Sequence, residues 1–173
     1  MRLLALAVLL PAVALAQVKA RDGFVEMDVR SVGLVQGSPA VMLQPHSGEE
    51  IVVPIFIGEN EANAIRQRID HTTPIRPLTH DLLEKMIQTL GGKISKIEVD
   101  DLRENIYLGT IYVQQGGRTM TIDARPSDSI ALALGTGAPI FCARKVIDQA
   151  GVKTEGESGR KRHSPRAPSP QGI

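Results

Sequence analysis

The chain has 173 residues, of which 42% are apolar, and this size and composition predict one globular domain with terminal tails. A single cysteine, Cys142, excludes an intrachain disulfide, and five aromatic residues are few for a protein that binds single strands by stacking bases. The net charge is +1, but residues 3–152 hold 14 basic and 17 acidic residues, so the central region lacks the basic excess that is usual in nucleic-acid binders.

The first 16 residues have the pattern of a secretory signal peptide. Arg2 gives a charged start, residues 3–15 are apolar, and Ala14-Leu15-Ala16 matches a cleavage site. The apolar run is too short for a comfortable membrane span, so we expect a mature chain without a membrane anchor, exported to a bacterial periplasm. If Met27 is the true start, the protein is cytoplasmic. Residues 152–173 are polar and basic and predict a disordered tail.

Strands come first between these tails. Alternating apolar and polar residues at 24–34 predict a half-buried strand, and a turn at 36–39 leads to a short partner at 40–43. The continuous apolar run 51–57 predicts a central strand, in which Pro54 indicates a bulge or a sheet edge.

Two amphipathic helices follow. The first is predicted from residue 59 to 69, with Ala62, Ile65 and Ile69 on its inner face. The second begins at Thr79, which we expect to act as its cap, and ends at Gly91-Gly92. Its apolar stripe comprises Leu82, Leu83, Met86, Ile87 and Leu90.

The second half of the chain predicts three hairpin strands between residues 94 and 124, then a buried helix, and finally a short strand and helix between 138 and 150. Strands and helices therefore do not alternate strictly. The predicted fold class is α+β: a single domain over residues 24–151, with a mixed or antiparallel sheet, hairpins and about four helices packed on it.

The junction between the last hairpin strand and the buried helix concentrates polar residues. Pro126 cannot donate to a strand ladder, and Ser127 or Asp128 can cap the helix that follows. Residues 130–134 are apolar on every face, so we expect this helix to be buried.

The sequence DARPSDSIALAL at 123–134 resembles the signature of the bifunctional nuclease domain family of bacteria and plants. Two further segments are similar to that family, in the right order: PIFIGENEA at 54–62 and RPLTHDLL at 76–83. The chain departs from the pattern at Ser129, where the family usually has Ala, and at 135–137, where Gly-Thr-Gly replaces a basic residue. The resemblance covers residues 26–151 and implies cleavage of both RNA and DNA.

Phosphodiester cleavage needs an activated water and help for the charge that builds on the phosphate, and divalent metals held by carboxylates commonly supply both. A guanidinium makes forked contacts to phosphate oxygens. Within the three motifs we therefore predict Asp123, Asp128, His80 and Asp81 as catalytic residues, Arg76 and Arg125 as phosphate contacts, and Asp123, Asp128 and Glu61 as ligands of Mg or Mn.

Each of these residues also has a structural interpretation. Glu59 and Glu61 suit the first turn of any helix, Asp128 could be only a cap, and Arg125 could be a structural ion pair. The dipeptide His80-Asp81 resembles that of metal-dependent HD-type phosphohydrolases, but the further spaced ligands of those enzymes are missing. The alternative hypothesis is a non-catalytic binding or oligomerisation module with the same fold, which would be a homo-oligomer.

Overall fold

Eight strands and four helices build the structure, a computed structural model that describes residues 20–154. The predicted signal peptide and almost all of the predicted tail lie outside the described residues. In chain order the elements are β1 Phe24–Val35, β2 Ser38–Pro45, β3 Ile51–Phe56, α1 Glu59–Ile69, α2 Thr79–Thr89, β4 Gly92–Arg103, β5 Ile106–Gln115, β6 Arg118–Ala124, α3 Pro126–Thr136, β7 Ile140–Ala143, α4 Arg144–Ala150 and β8 Val152–Lys153.

The strands form one mixed sheet in the order β6-β5-β4-β7-β1-β2-β3-β8. Neighbouring strands are antiparallel, except for the parallel pair β4 and β7. The predicted α+β class is therefore confirmed. Within residues 20–154, no helix is long and apolar enough to cross a membrane.

The sheet curls strongly enough for β5 to touch β3, although four strands separate them in the sheet. Tyr107 Oη of β5 donates a hydrogen bond of 2.8 Å to the carbonyl of Pro54 in β3. Pro54 lies at a sheet edge, because β8 pairs only with Ile51 and Val52 at the start of β3. Of the two alternatives that this proline indicated, a bulge or a sheet edge, the structure has the edge. The prediction of a central strand at 51–57 is wrong, because only the two-residue strand β8 lies outside β3.

Helix α3 occupies the inside of the curl. It contacts α1, α2, β4 and β5, and Ile130, Ala131, Leu132 and Ala133 are at most 1% exposed. A helix that is apolar on all faces needs such a central position, so the prediction of a buried helix is confirmed. Its burial places the residue before it, Arg125, between the helices and the curled sheet.

The predicted helix caps are wrong. The N-cap of α3 is Arg125, and Pro126 is the first helical residue, where its fixed φ suits a helix start. Neither Ser127 nor Asp128 caps that helix through its side chain. The N-cap of α2 is Leu78 rather than Thr79, and its backbone N–H donates to Asp81 Oδ2 at 2.7 Å.

The apolar stripe of α2 is largely exposed, and no residue of this helix is fully buried. Leu83 and Met86 are 40% and 53% exposed, and Leu90 is 70% exposed. Ile87 alone packs against the core cluster. The amphipathic pattern thus predicted the helix correctly, but within residues 20–154 most of its stripe is not covered.

A buried carboxylate lies on the sheet face that points away from α3. Glu98 is fully buried and accepts hydrogen bonds from Lys96 Nζ at 2.6 Å and Tyr112 Oη at 2.7 Å. Arg21 adds an ion pair at 3.2 Å. Burial, together with the bond to Glu98, raises the pKa of Tyr112 to about 12, so the phenol remains a donor. These partners satisfy the carboxylate, which we interpret as structural.

Candidate functional site

Arg125 joins two helices through its guanidinium. Its Nε donates to Asp128 Oδ2 at 2.7 Å, and its Nη2 donates to Glu61 Oε1 at 2.8 Å and to Asp128 Oδ1 at 3.1 Å. Glu61 belongs to α1 and Asp128 to α3, and 64 residues separate Glu61 from Arg125. The Arg125 side chain is 67% exposed, whereas Glu61 and Asp128 are only 18% and 27% exposed, so the arginine lies on the solvent side of both carboxylates.

His80 completes the group from a third helix. Its Nε2 lies 3.0 Å from Asp128 Oδ1, and its side chain is 15% exposed. The packing of α1 and α2 against α3 brings these three helices together at the N-terminal end of α3. We call Glu61, His80, Arg125 and Asp128 the Arg125 cluster.

The charges of the Arg125 cluster support one another. Burial alone would raise the pKa of Asp128, but the hydrogen bonds from Arg125 and His80 outweigh it, so the pKa lies below its ordinary value of 3.8. The bonds to Asp128 and Glu61 raise the pKa of Arg125. Asp128 is therefore a carboxylate and Arg125 a cation at neutral pH. One guanidinium faces two carboxylates, which leaves the cluster with a net negative charge while His80 is neutral.

Asp81 belongs to a different ion cluster, centred on Arg68 of α1. Arg68 Nη2 lies 2.6 Å from Asp81 Oδ1 and 2.7 Å from Glu84 Oε1, and all three side chains are mostly buried. A Cβ atom at Gly135 would collide with Arg68 and Glu84, so α3 passes very close to this pair. Burial raises the pKa of Glu84, and Arg68 partly offsets that effect.

Sequence reasoning missed Arg68 and Glu84, although a signal for Arg68 was present. Glu61, Ile65 and Arg68 follow the spacing i, i+4 and i+7, which places all three on one helix face. Because Ile65 is fully buried, that face points inward, and a charge on it needs a partner. Glu84 follows the apolar pair Leu82-Leu83, and nothing in its spacing distinguishes it.

Two further predicted site residues, Asp123 and Arg76, lie outside the Arg125 cluster, as Asp81 does. Asp123 of β6 is paired with Thr110 of β5, so both side chains lie on the same sheet face. Thr110 donates a hydrogen bond to Asp100 on that face, whereas its neighbour Ile111 is buried on the opposite face. The side chain of Asp123 therefore projects away from the helices. Arg76 is exposed in the loop before α2, and no hydrogen bond or ion pair within residues 20–154 joins it to the cluster.

Comparison with known proteins gives this arrangement a context. The model of the bifunctional nuclease domain matches residues 41–155. An uncharacterized protein of Mycobacterium tuberculosis is 36% identical over 135 residues, which cover 76% of this chain and 80% of that protein. This chain belongs to the bifunctional nuclease domain family. All four residues of the Arg125 cluster lie within the matched region.

Plant members of the bifunctional nuclease family are more distant and longer. Bifunctional nuclease 1 of Oryza sativa subsp. japonica is 23% identical over 145 residues, which cover 79% of this chain but 44% of the rice protein. Bifunctional nuclease 2 of the same plant is 24% identical over 119 residues, or 67% of this chain and 37% of that protein. The chain thus spans less than half the length of these rice proteins.

The predicted metal ligands are not assembled as one set. Glu61 and Asp128 lie at the same guanidinium, but Asp123 does not join them. Within the described range 20–154, no three His, Cys, Asp or Glu side chains are grouped so that they could hold a metal ion. Any cation at this nuclease-family site would meet two carboxylates that Arg125 already neutralises in part.

An open cleft of about 600 Å³ lies over the Arg125 cluster. All four cluster residues line it, together with the side-chain amides of Asn60 and Asn63 and with Leu78 and Thr79. A ligand in this cleft would therefore meet a histidine, a guanidinium and several hydrogen-bonding groups at once. A guanidinium can donate to an anionic oxygen, and a histidine can accept a proton near neutral pH.

The lowered pKa of Asp128 predicts a pH-dependent stability difference. Asp128→Asn should be less stable than the parent at neutral pH, because the charge-assisted bonds to Arg125 and His80 are lost. The contribution of a carboxylate with a depressed pKa is present above 3.8 and is lost as the pH falls through the folded-state value. Urea unfolding at neutral and acidic pH should show that the difference in free energy of unfolding between parent and variant shrinks below pH 3.8. Asp28→Asn, in the exposed pair with His46, is the control; a gap for Asp128→Asn that is constant with pH would contradict the interpretation.

Proposed function

We propose that this protein is a nuclease of low sequence specificity that hydrolyses phosphodiester bonds in RNA and DNA at the Arg125 cluster. The observation that carries the proposal is the chain of contacts from His80 through Asp128 to Arg125, open to a cleft, in a member of the bifunctional nuclease domain family. The names of the rice relatives support the same activity class.

In this proposal His80 is the general base. The Asp128 carboxylate accepts a hydrogen bond from Nε2–H, which fixes the tautomer and leaves the Nδ1 lone pair to take a proton from water. The water oxygen attacks phosphorus as its proton moves to Nδ1, and the phosphorus–oxygen bond to the leaving group breaks. The leaving oxygen takes a proton from solvent water, and the imidazolium returns its own proton to solvent, which restores neutral His80. Asp128 orients the imidazole and stabilises its cation.

Arg125 is the proposed phosphate contact. Its hydrogen bonds within residues 20–154 use Nε and Nη2, so Nη1 is the donor that a phosphate oxygen would meet first. Arg76 is a second proposed contact, because its neighbour Pro77 lines the cleft. Both side chains would offset the negative charge that Glu61 and Asp128 leave at the site.

Asp81 and Asp123 have weaker support as catalytic residues. Asp81 is held by Arg68 and by the backbone of Leu78, which fits a positioning role for α2 and hence for His80. A divalent cation such as Mg or Mn remains a proposal drawn from the sequence, and chelation tests it directly. Export to the periplasm, with removal of residues 1–16, is likewise a proposal.

A fluorescent oligonucleotide assay tests the proposed activity. His80→Gln should lower the rate by about 100-fold or more, since a general base contributes roughly 10²–10⁴-fold. His46→Gln is the matched control, because His46 forms a similar pair with Asp28 at 2.9 Å but is exposed and does not line the cleft. Each variant is checked for folding by circular dichroism and assayed with and without EDTA.

Cleavage by folded His80→Gln at the parent rate would contradict the proposed site, and no cleavage by the parent protein with Mg or Mn would contradict the activity. Sensitivity to EDTA would support the metal, whereas full activity in EDTA would remove it from the proposal without affecting His80.

A second candidate function, self-association, is favoured by an uncovered apolar surface. Val113 and Ile111 of β5 pair with Met120 and Ile122 of β6, and directly paired residues project from the same sheet face. That face is buried at β5, but Met120 and Ile122 are 43% and 46% exposed. Gly92 lies between helix α2 and strand β5, because a Cβ atom there would be 3.1 Å from Ile87 of α2 and 3.1 Å from Val113 of β5. Helix α2 is therefore next to this face of the sheet. We call Leu83, Met86, Leu90, Met120 and Ile122 the α2–β6 surface.

The proposed occupant of this surface is a second copy of the chain. Strand β6 ends the sheet and has a regular register without a bulge, so its outer edge can accept another strand. Two β6 strands can pair antiparallel with Thr121 of one copy opposite Thr121 of the other. Met120 of each copy then faces Ile122 of the other copy, and Arg118 faces Ala124. No like charges then face each other, so the strand is complementary to itself.

Light scattering on the full chain tests this assembly. The parent should be a dimer or larger. Met120→Lys combined with Ile122→Lys should shift it to a monomer, because the lysine at 120 of one copy would face the lysine at 122 of the other copy. Leu34→Lys, at a residue of β1 that is 68% exposed, should leave the mass unchanged. A parent that is monomeric at every concentration would rule this candidate out.

A further inference from the structure

A second cleft, of about 570 Å³, lies on the other side of Arg125. Its lining includes Phe56 from the end of β3, Ile106 and Tyr107 from the start of β5, and Pro126 from α3. Arg125 lines both this cleft and the one over the Arg125 cluster, so the two clefts adjoin at this residue. We call the second one the Phe56 cleft.

The Phe56 cleft is built from apolar groups that are unusually exposed. Phe56 is 52% exposed and Ile106 is 63% exposed. Two of the five aromatic residues of the chain, Phe56 and Tyr107, thus line one cleft beside the guanidinium. Scarcity of aromatics in the composition therefore does not argue against base stacking, because the few that exist are placed together.

The backbone segments that carry the walls of this cleft are tied together by the fold. The hydrogen bond from Tyr107 Oη to the carbonyl of Pro54 ties β5 to β3, two residues before Phe56. Glu104 and Asn105 both have left-handed φ values, of 50° and 64°, and form the tight turn that presents Ile106. A cleft held by backbone geometry in this way loses little conformational entropy when it binds a flat apolar group.

The chemistry of the pair of clefts fits one nucleotide unit. A phosphate needs a cationic donor in the open, which Arg125 provides, and a base needs an apolar face to stack on, which Phe56 and Tyr107 provide. We propose that the Phe56 cleft binds an unpaired nucleobase of the strand whose phosphate lies at Arg125. This inference rests on the proposed nuclease function and deepens it, since it names single-stranded nucleic acid as the preferred substrate.

Two properties follow from the composition of the cleft. Stacking tolerates every base because each has a π-face, so the cleft would add affinity without strong sequence preference. A base inside a duplex is covered on both faces by its neighbours and cannot enter the cleft unless it leaves the stack. The protein should therefore prefer single strands to duplexes of the same sequence.

Fluorescence anisotropy with the full chain tests the proposal. The probes are a labelled thymidine octamer, an octamer of abasic sites with the same phosphates, and a duplex containing the thymidine octamer; all have phosphorothioate linkages that resist hydrolysis. Phe56→Ala should weaken binding of the thymidine octamer by about tenfold, the scale of losing one stacked base. It should leave binding of the abasic octamer unchanged.

Control variants keep the outcome interpretable. Ile106→Ala removes the opposite wall and should act in the same direction as Phe56→Ala. Val152→Ala, at a residue that is 55% exposed on β8 beside the other end of β3, should change nothing. Thermal unfolding of each variant shows whether it is folded.

The results separate this inference from the proposed function. If the parent binds and cleaves single strands, but folded Phe56→Ala and Ile106→Ala bind both octamers as the parent does, the base site is wrong and the nuclease proposal stands. If the parent binds the duplex as tightly as the single strand, the preference for unpaired bases is wrong. If the parent neither binds nor cleaves any oligonucleotide, both proposals fail together.

Discussion

The organisation of the site depends on one guanidinium that satisfies two carboxylates from different helices. Glu61 and Asp128 would repel each other and lose solvation where α1 meets α3, and Arg125 makes their approach favourable. The contact fixes α1 against the turn that begins α3, and Asp128 in turn fixes His80 of α2. A change at Arg125 would therefore affect contacts of all three helices. The shape of the cleft, the orientation of the His80 imidazole and the proposed phosphate contact all depend on this residue.

Two ion clusters lie beside α3, and their exposure distinguishes their roles. Arg68 is 17% exposed, and its partners Asp81 and Glu84 are 27% and 12% exposed, so the charged end of this arginine is largely enclosed by the helices. Arg125 is 67% exposed and faces two clefts, so a phosphate can reach it while α3 stays packed. The two clusters thus differ mainly in the exposure of their arginines, 17% for Arg68 and 67% for Arg125, and both depend on the burial of α3.

Local patterns predicted most of the fold, because strand alternation and helical spacing are set by which side chains meet the core. Burial of α3 followed from its residues, whereas the apolar run 51–57 wrongly suggested a central strand, and Pro54 was the residue that indicated an edge. The caps were wrong because Pro126 already begins α3 and the carboxylate of Asp128 binds Arg125 and His80 instead. Asp123 was grouped with Asp128 because the two are close in sequence, but the two-residue period of β6 turns it to the other sheet face. The contact between Glu61 and Arg125 spans 64 residues, and no local pattern carries that information.

The most direct test of this account is an NMR titration of the full chain with a phosphorothioate thymidine octamer, observing arginine Nε–Hε groups and histidine imidazoles. Binding at the Arg125 cluster predicts that Arg125 Nε, whose guanidinium contacts the phosphate through Nη1, shifts more than the Nε of any other arginine, and that His80 shifts while His46 is unaffected. The Asp128→Asn variant should reduce the shift at His80, because the imidazole loses the partner that orients it. Large shifts confined to other arginines, with Arg125 and His80 unchanged at saturation, would contradict the account.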